Sequence, residues 1–380
     1  MRRAVILFAL GALLAGAFVL GFRLSGPRER AAPPALSVVD AVREELAARY
    51  YRPVPNSVLR LGSVHSMLAA LNDPYTEYLD RPAYVLLRRQ IAGSYTGIGV
   101  TLLPAPRGLL VVATQAGPGR RAGIRVGDTI TRIGSASAAR LGLANALTRI
   151  GGHSGTTIHL QAERAGKPIA FSVRRAAVQA PTVSGHPISF GGRTYGFLRI
   201  ASFRANAAAA LAPELRRLRR SGVDGFVLDL RENPGGLVDQ AISVSSLFLR
   251  SGVVVTLQGA HRPREVYRAS GHPIAPFRPL VVLVDRYTAS SAEIVAAALH
   301  DDGRATLVGE HTFGKAVVQS IDPLANGGAL ALTTARYFTP AGADISRKGV
   351  RPDIRVIDDP RTPMDDVLTT ALATLAASQN

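Results

Sequence analysis

Ser290 and Lys315, in the C-terminal third of the chain, are the residues whose types and spacing could do chemistry. A serine hydroxyl is a poor nucleophile until a base takes its proton. A lysine serves as that base only when neutral, and neutrality requires burial away from water. Lys315 is flanked by Phe313, Gly314, Ala316, Val317 and Val318, with no adjacent acid to hold its charge. The competing description is a surface lysine in a β-turn, the usual case for any one lysine. His300 and His311 offer a Ser-His alternative. His300 closes a helical segment, where a cation ordinarily serves as a cap, and His311 lies four residues before Lys315. Spacing alone selects neither, and the identity of the base stays open.

Several elements must position these groups. The apolar run Leu280 to Val284 is short and β-branched, as a buried strand is. Thr288-Ala289-Ser290-Ser291 follows as a turn, and Glu293 to His300 reads as a helix stopped by Asp-Asp-Gly. Strand, hydroxyl-bearing turn and helix together lift a serine Oγ out of the backbone, while the helix start supplies free N–H groups. Ala305 to Val308 is the next strand. Upstream, the buried strand Gly225 to Leu230 runs into Asn233-Pro234-Gly235-Gly236. Acyl transfer needs N–H donors aimed at a developing oxyanion, and paired glycines let a backbone approach a substrate closely. An ordinary strand-to-helix turn has the same composition. The N–H of Ser291 is the natural second donor.

Elsewhere, Gly196 to Ile200 reads as a strand, Ala205 to Arg220 and Leu237 to Leu249 as helices, and Val253 to Leu257 and Leu330 to Phe338 as strands. Strands alternating with helices predict an α/β layer structure with a mainly parallel sheet. Sites in such sheets collect at the C-terminal ends of the strands. Ser37 to Tyr51, Ser63 to Leu71 and Arg81 to Ile91 have near-helical spacing and read as a small helical region outside the catalytic machinery. From Ser94 the pattern changes to short strands: Val100 to Leu103, Leu109 to Ala113, Thr129 to Ile133, and a hairpin of Thr157 to Ala162 with Ile169 to Arg174. Ala122 to Asp128 reads as a short helical turn and tight loop, and Leu141 to Ile150 as a helix. The order of these parts resembles a PDZ domain. The resemblance places Gly97-Ile98-Gly99-Val100 where that family holds a peptide's C-terminal carboxylate, the peptide then adding as an extra strand.

Thr288-Ala289-Ser290-Ser291-Ala292-Glu293-Ile294, Asp302-Gly303-Arg304-Ala305 and the run from Val308 to Gln319 resemble the C-terminal processing peptidases, also called tail-specific proteases. Asp229 to Leu237 is similar to that family's glycine loop. Thr333 to Pro340, Lys348 to Asp353 and Asp73-Pro74-Tyr75-Thr76 are similar to its other motifs. The match runs in order from about Val38 to Asp353. The resemblance implies a Ser-Lys dyad endopeptidase in which Ser290 is the nucleophile, Lys315 the general base and Gln319 the residue that orients the lysine. It also implies an oxyanion hole from Gly235, Gly236 and Ser291, and a PDZ unit that binds substrate C-termini and gates the site. Lys315 and Gln319 would sit about 13 Å apart in a straight strand, so the Gln319 role predicts a bent or helical backbone there. The family commonly has Ser-Ala-Ser-Ala-Ser-Glu where this chain has Thr-Ala-Ser-Ser-Ala-Glu, and Gly-Ser where it has Ala316-Val317. The first departure makes the choice between Ser290 and Ser291 a question of register, and Glu293, the 25-residue gap to Lys315 and the turn position all select Ser290. The implied fold is an α/β protease core with crotonase/Clp-like layers, an inserted PDZ-like β-rich domain and a helical N-terminal region. Expected boundaries are 1–34, 35–93, 94–176 and 177–380. A non-catalytic PDZ scaffold that captures C-termini is the rival.

The chain has 380 residues, 47% of them hydrophobic, and no cysteine. That composition excludes a disulfide framework, a Cys nucleophile and thiolate metal sites, and the dyad requires no metal or other cofactor. A net charge of +18 suits anionic lipid or nucleic acid. The densest cluster, Arg216 to Arg220, lacks any recognition motif, which argues against nucleic acid. Residues 4–22 carry no charge and follow Arg2-Arg3. At about 1.5 Å per residue they nearly span a bilayer core, which predicts an uncleaved signal-anchor. Ala15-Gly16-Ala17, the candidate cleavage site, lies inside the apolar run, and residues 27–34 form a linker. Either a signal-anchor or a cleaved signal exports the rest of the chain to the periplasmic side of a bacterial inner membrane. The expected partners are proteins with free C-termini, with self-association or a regulatory partner left open.

Overall fold

The computed structural model describes residues 37–378 apart from 92–93, 116, 180–181 and 359–363. The expected membrane segment and linker lie outside the described residues. No helix among the described residues is long and apolar enough to cross a membrane. The chain divides into two compact units, one spanning Ala92–Pro181 and one formed by the chain before and after it. The helical region before Ile91 is therefore part of the larger unit.

That larger unit is built on two sheets. In the first, six strands among the described residues run in the order Val183–Phe190, Arg193–Ile200, Phe226–Asp229, Leu280–Val284, Thr306–Gly309 and Ile354–Arg355. The first pair is antiparallel and the other four pairings are parallel. Both faces are covered. Leu198, Leu228, Val282 and Val284 pack with the helices Ala207–Arg220, Val238–Ser246 and Ser291–Asp301. Phe197, Val227, Val281 and Leu283 pack with the last helix, Asp366–Ala377. Burial on both faces is why the central strands Phe226–Asp229 and Leu280–Val284 read as continuous apolar runs rather than alternating ones.

The strands Val253–Gly259 and Ala329–Phe338 do not join the parallel sheet. They pair with each other, antiparallel, in a second sheet with Glu77–Leu79, Arg262–Arg268 and Val317–Pro323. The helices Val38–Arg49 and Val64–Leu71 bury Val42, Leu46, Met67 and Leu71 against Leu330 and Leu332 of this sheet.

The unit Ala92–Pro181 is an antiparallel sheet of Val100–Ala105, Gly108–Thr114, Thr129–Ile133, Thr157–Arg164 and Lys167–Arg174. The helix Ala138–Ile150 packs on it through Ala146 and Ile150. Alternation along Thr157–Arg164 turns Ile158, Leu160 and Ala162 inward. The helical turn expected at Ala122 to Asp128 falls earlier, at Pro118–Arg121. A proline fits the first helical position because its φ is preset. The residues after it form a turn with Gly123 and Gly127 at φ 88° and 93°. Arg164 closes that turn by bonding the buried Asp128 at 2.7 and 2.8 Å and the Gly123 carbonyl at 2.7 Å.

Candidate active site

Ser290 sits where the buried strand Leu280–Val284 gives way to the helix Ser291–Asp301, with φ 56° and ψ −119°. A non-glycine residue there carries strain of order 1–3 kcal/mol that the surroundings must hold. The turn is stapled from several sides. Thr288 Oγ1 accepts from the Asp285 N–H at 2.9 Å and donates to the Leu230 carbonyl at 2.9 Å. Ala289 N–H donates to the Asn233 carbonyl at 2.9 Å. The helix start therefore lies beside the glycine loop, as its place at the C-terminal strand ends predicts.

The two adjacent serines have different surroundings. Ser291 Oγ donates to the Gly236 carbonyl at 2.7 Å, so its hydroxyl ties the helix to the glycine loop. Ser290 carries the strained backbone, and its N–H donates to Glu293 Oε2 at 2.8 Å. This difference supports Ser290 as the reactive one.

Asn233 shapes the glycine loop. Its Nδ2 donates to the Ile200 carbonyl at 2.7 Å and its Oδ1 accepts the Gly235 N–H at 2.8 Å. The Gly235 N–H is thus committed to Asn233 in this conformation, against its expected part in an oxyanion hole. That leaves the Gly236 and Ser291 N–H groups as the other two donors expected there. A Cβ on Gly235 would lie 2.7 Å from the Ala289 oxygen and 2.8 Å from Ser290 Cβ. One on Gly236 would lie 2.0 Å from the Phe203 oxygen. Close approach of two backbones, rather than turn geometry alone, requires both glycines.

Lys315 is buried, with 6% of its surface exposed. Its Nζ donates to Gln319 Oε1 at 2.9 Å and lies 4.9 Å from the centre of the Tyr75 ring. Gln319 is fully buried, and its Nε2 donates to the Tyr75 carbonyl. Lys315 precedes the strand Val317–Pro323, and the register of that strand slips between Val318 and Gln319. The extra residue of that slip, Thr334, lies on the partner strand Ala329–Phe338. Burial pushes the Lys315 amine down to about 8, against the opposing pull of Glu77, Asp73 and Glu293.

The histidines are placed otherwise. His300 ends the helix Ser291–Asp301, nine residues and about 13 Å along the axis from Ser291. It pairs with Asp301 at 3.0 Å and Asp353 at 3.2 Å. His311 is exposed, and no hydrogen bond among the described residues joins it to Ser290.

Four contributors were not legible in the sequence. Glu293 is fully buried and accepts from Ser290 N, Lys315 N, Gly314 N and Thr312 Oγ1 at 2.8, 3.0, 2.7 and 2.5 Å. Burial raises its carboxyl, and these donors oppose the shift. Tyr337 Oη reaches the Lys315 carbonyl at 2.5 Å and the Ser290 carbonyl at 3.2 Å. Asn233 and Tyr75 complete the set. Tyr75 overturns the reading of its region as outside the catalytic machinery. The Asp73-Pro74-Tyr75-Thr76 motif marked the place, but nothing in its periodicity pointed at a lysine 240 residues away.

A serine on a strained strand-to-helix turn, with helix N–H groups beside it and a lysine of lowered basicity, is the kind of arrangement that a serine-type peptidase uses. The model of peptidase family S41 matches residues 194–356. The carboxyl-terminal-processing protease of Synechocystis sp. is 35% identical over 84% of this chain and 76% of its own length. The carboxy-terminal processing protease CtpA of Bacillus subtilis is 33% identical over 82% of this chain and 67% of its own. Among solved structures, a photosystem II D1 C-terminal processing protease superposes with a TM-score of 0.56 at 28% identity, covering 87% of this chain and 95% of that one. The chain belongs to the carboxyl-terminal-processing proteases of peptidase family S41.

Proposed function

We propose that this protein is an exported endopeptidase that cleaves protein substrates at or near their C-termini through a Ser290–Lys315 dyad. The observation that carries the reading is the seating of Lys315: buried, low in basicity and bonded to Gln319. The neutral Lys315 amine takes the Ser290 hydroxyl proton as Oγ attacks the scissile carbonyl carbon. The oxyanion that forms is met by the Gly236 and Ser291 N–H groups, with the positive end of the helix Ser291–Asp301 behind them. The Lys315 ammonium returns its proton to the leaving amine as the C–N bond breaks, leaving an ester on Ser290. Lys315, neutral again, takes a proton from water as the water oxygen attacks the ester carbonyl, and the ammonium returns that proton to Ser290 Oγ as the acyl C–O bond breaks, restoring the serine hydroxyl and the neutral amine.

The unit Ala92–Pro181 is assigned as a PDZ-like module. Its strand order and its Gly97–Val100 loop, with Gly99 at φ 75°, support this assignment. In this reading the loop binds a substrate's C-terminal carboxylate through backbone N–H groups, and the module gates the peptidase. Residues 4–22 anchor the chain to the inner membrane with the catalytic unit in the periplasm.

The test is digestion of denatured β-casein and of a reporter with an apolar C-terminal tail by the wild type, Ser290→Ala, Lys315→Ala and His311→Ala. The dyad predicts loss of cleavage in the first two variants and retention in the third. Cleavage by Lys315→Ala would sink it, and a wild type inert toward every tail would favour a binding scaffold.

A further inference from the structure

The segment Asp73 to Glu77 lies about 240 positions before the lysine in sequence, yet it forms one wall of the lysine's chamber. It is held as a rigid turn. Asp73 Oδ1 accepts the Tyr75 N–H at 3.0 Å, and Asp73 Oδ2 accepts from Thr76 Oγ1 at 2.7 Å and Tyr50 Oη at 3.1 Å. Thr76 Oγ1 accepts the Thr333 N–H at 3.1 Å, and Glu77, Tyr78 and Leu79 pair in register with Ala331, Leu330 and Ala329. The turn is thus fastened both to the helices before it and to the central strand of the second sheet. Its outcome is the placement of one residue. The Tyr75 carbonyl takes the Gln319 amide, and the half-buried Tyr75 ring lies under Lys315 Nζ at 4.9 Å.

We infer that Tyr75 is a positioning residue for the base: its carbonyl fixes the Gln319 amide, and its ring keeps water off the Lys315 amine. The inference rests on the dyad reading. The two contacts do different work. An amide rotates by half a turn at little cost when nothing holds it, and it then offers Nε2 rather than Oε1 to the lysine. With Nε2 held on the Tyr75 carbonyl, Oε1 must face Nζ. The ring acts through solvation. An aromatic face attracts an ammonium by about 0.5–1 kcal/mol at an exposed site, which would favour the charged lysine. Excluding water favours the neutral lysine. The amine stands below its ordinary value despite Glu77, Asp73 and Glu293 around it, so exclusion wins. Burial raises the Tyr75 phenol, as do the charges of Asp73 and Glu293, and the charge of Arg347 opposes them.

The chain has three lysines, Lys167, Lys315 and Lys348. A full-length protein labelled with 13C at lysine Cε therefore gives three signals in detergent, and the one absent from Lys315→Met belongs to the base. This signal is titrated in Ser290→Ala, in Ser290→Ala/Tyr75→Phe and in Ser290→Ala/Tyr75→Ala. The pH profile of kcat/KM on a tailed peptide is recorded for the same changes on active enzyme. Tyr75→Phe keeps the ring and the carbonyl and is expected to match wild type within about twofold. Tyr75→Ala admits water, and its Lys315 pKa is expected to rise by about one unit, lowering kcat/KM at pH 7 about tenfold, with recovery as pH rises. Tyr75→Leu, the variant to use if the alanine protein does not fold, is expected to lie between the two. An unchanged or lower Lys315 pKa without the ring, or an equal loss of rate at every pH, would overturn the inference. Activity in Lys315→Ala would instead overturn the dyad and leave the Tyr75 titration result standing on its own.

Discussion

Ser290 and Lys315 are 25 positions apart in sequence, yet their backbone N–H groups donate to the same oxygen, Glu293 Oε2, at 2.8 and 3.0 Å. The relative position of these two residues is therefore fixed at the main chain, before either side chain is considered. Tyr337 repeats the arrangement from the other side, its hydroxyl lying between the carbonyls of the same two residues.

Glu293→Gln keeps the shape of this clamp and reverses one of its ends. An amide nitrogen then confronts two N–H donors, or the hydroxyl of Thr312 and the N–H of Gly314. Leaving buried donors unpaired costs about 1–3 kcal/mol each. The variant is expected to melt lower and to lose at least tenfold in kcat with little change in KM, as measured by calorimetry and steady-state hydrolysis. Wild-type kcat in a folded Glu293→Gln protein would contradict the clamp.

The buried lysine makes opposite demands on rate and stability. With Lys315 near 8 in the folded protein, kcat/KM should climb through that pH as the neutral amine accumulates. The ordinary lysine value is about 10.4. The unfolded chain therefore holds this proton more tightly, and the folded state is penalised by roughly 3 kcal/mol at pH 7. The penalty shrinks as pH rises from 8 to 10.5. Lys315→Met removes it and leaves Gln319 Oε1 without its partner, a partial offset. Differential scanning calorimetry should find this inactive variant at least as stable as wild type at pH 7. A melting temperature several degrees lower would mean that the amine is not desolvated.

Gly235→Ala addresses the glycine loop. The residue sits at φ 97°, and its added methyl would meet the Ala289 carbonyl and Ser290 itself. Cleavage should fall by two orders of magnitude or more, while the unit Ala92–Pro181 keeps its own unfolding transition.

The register of the two serines is open to direct test. Ser291→Ala loses one hydrogen bond to Gly236, worth about 1 kcal/mol, and should retain cleavage within about tenfold. Ser290→Ala should show none. The reverse pattern would move the nucleophile by one residue.

The elements closest to the nucleophile were the most legible. Leu280–Val284 was read to the residue because a strand buried on both faces is a bare apolar run. Ser290 was marked by its place in a turn before an alanine-rich helix. The strand-rich unit was legible from alternation and its glycine turns. The second sheet was not, because Val253–Gly259 and Ala329–Phe338 are buried much like the parallel strands and only long-range pairing separates the two sheets. The site's supports were hidden for a related reason. Glu293 served only to set the register, since nothing in a helical sequence says that a first-turn glutamate will face inward and gather four donors. Tyr75 sat in a recognised motif within a region dismissed as scaffolding, because its role depends on a contact across 240 positions. The Gly235 N–H was misassigned because the side chain that occupies it, Asn233, was read as part of a turn.

The way the strand-rich unit is spliced into the chain has one more consequence. Its entry leaves Tyr75 through the short strand Glu77–Leu79 and the helix Arg81–Ile91. Its exit rejoins at Thr182, whose carbonyl accepts from Ala201, two residues before the Phe203 that bonds Gly235 and Leu237. One joint thus leads to the residue that seats the lysine, and the other to the loop that faces the serine. A change in the length of either joint is therefore a change in chain that leads directly to the Tyr75 turn or to the contact of Phe203 with the glycine loop.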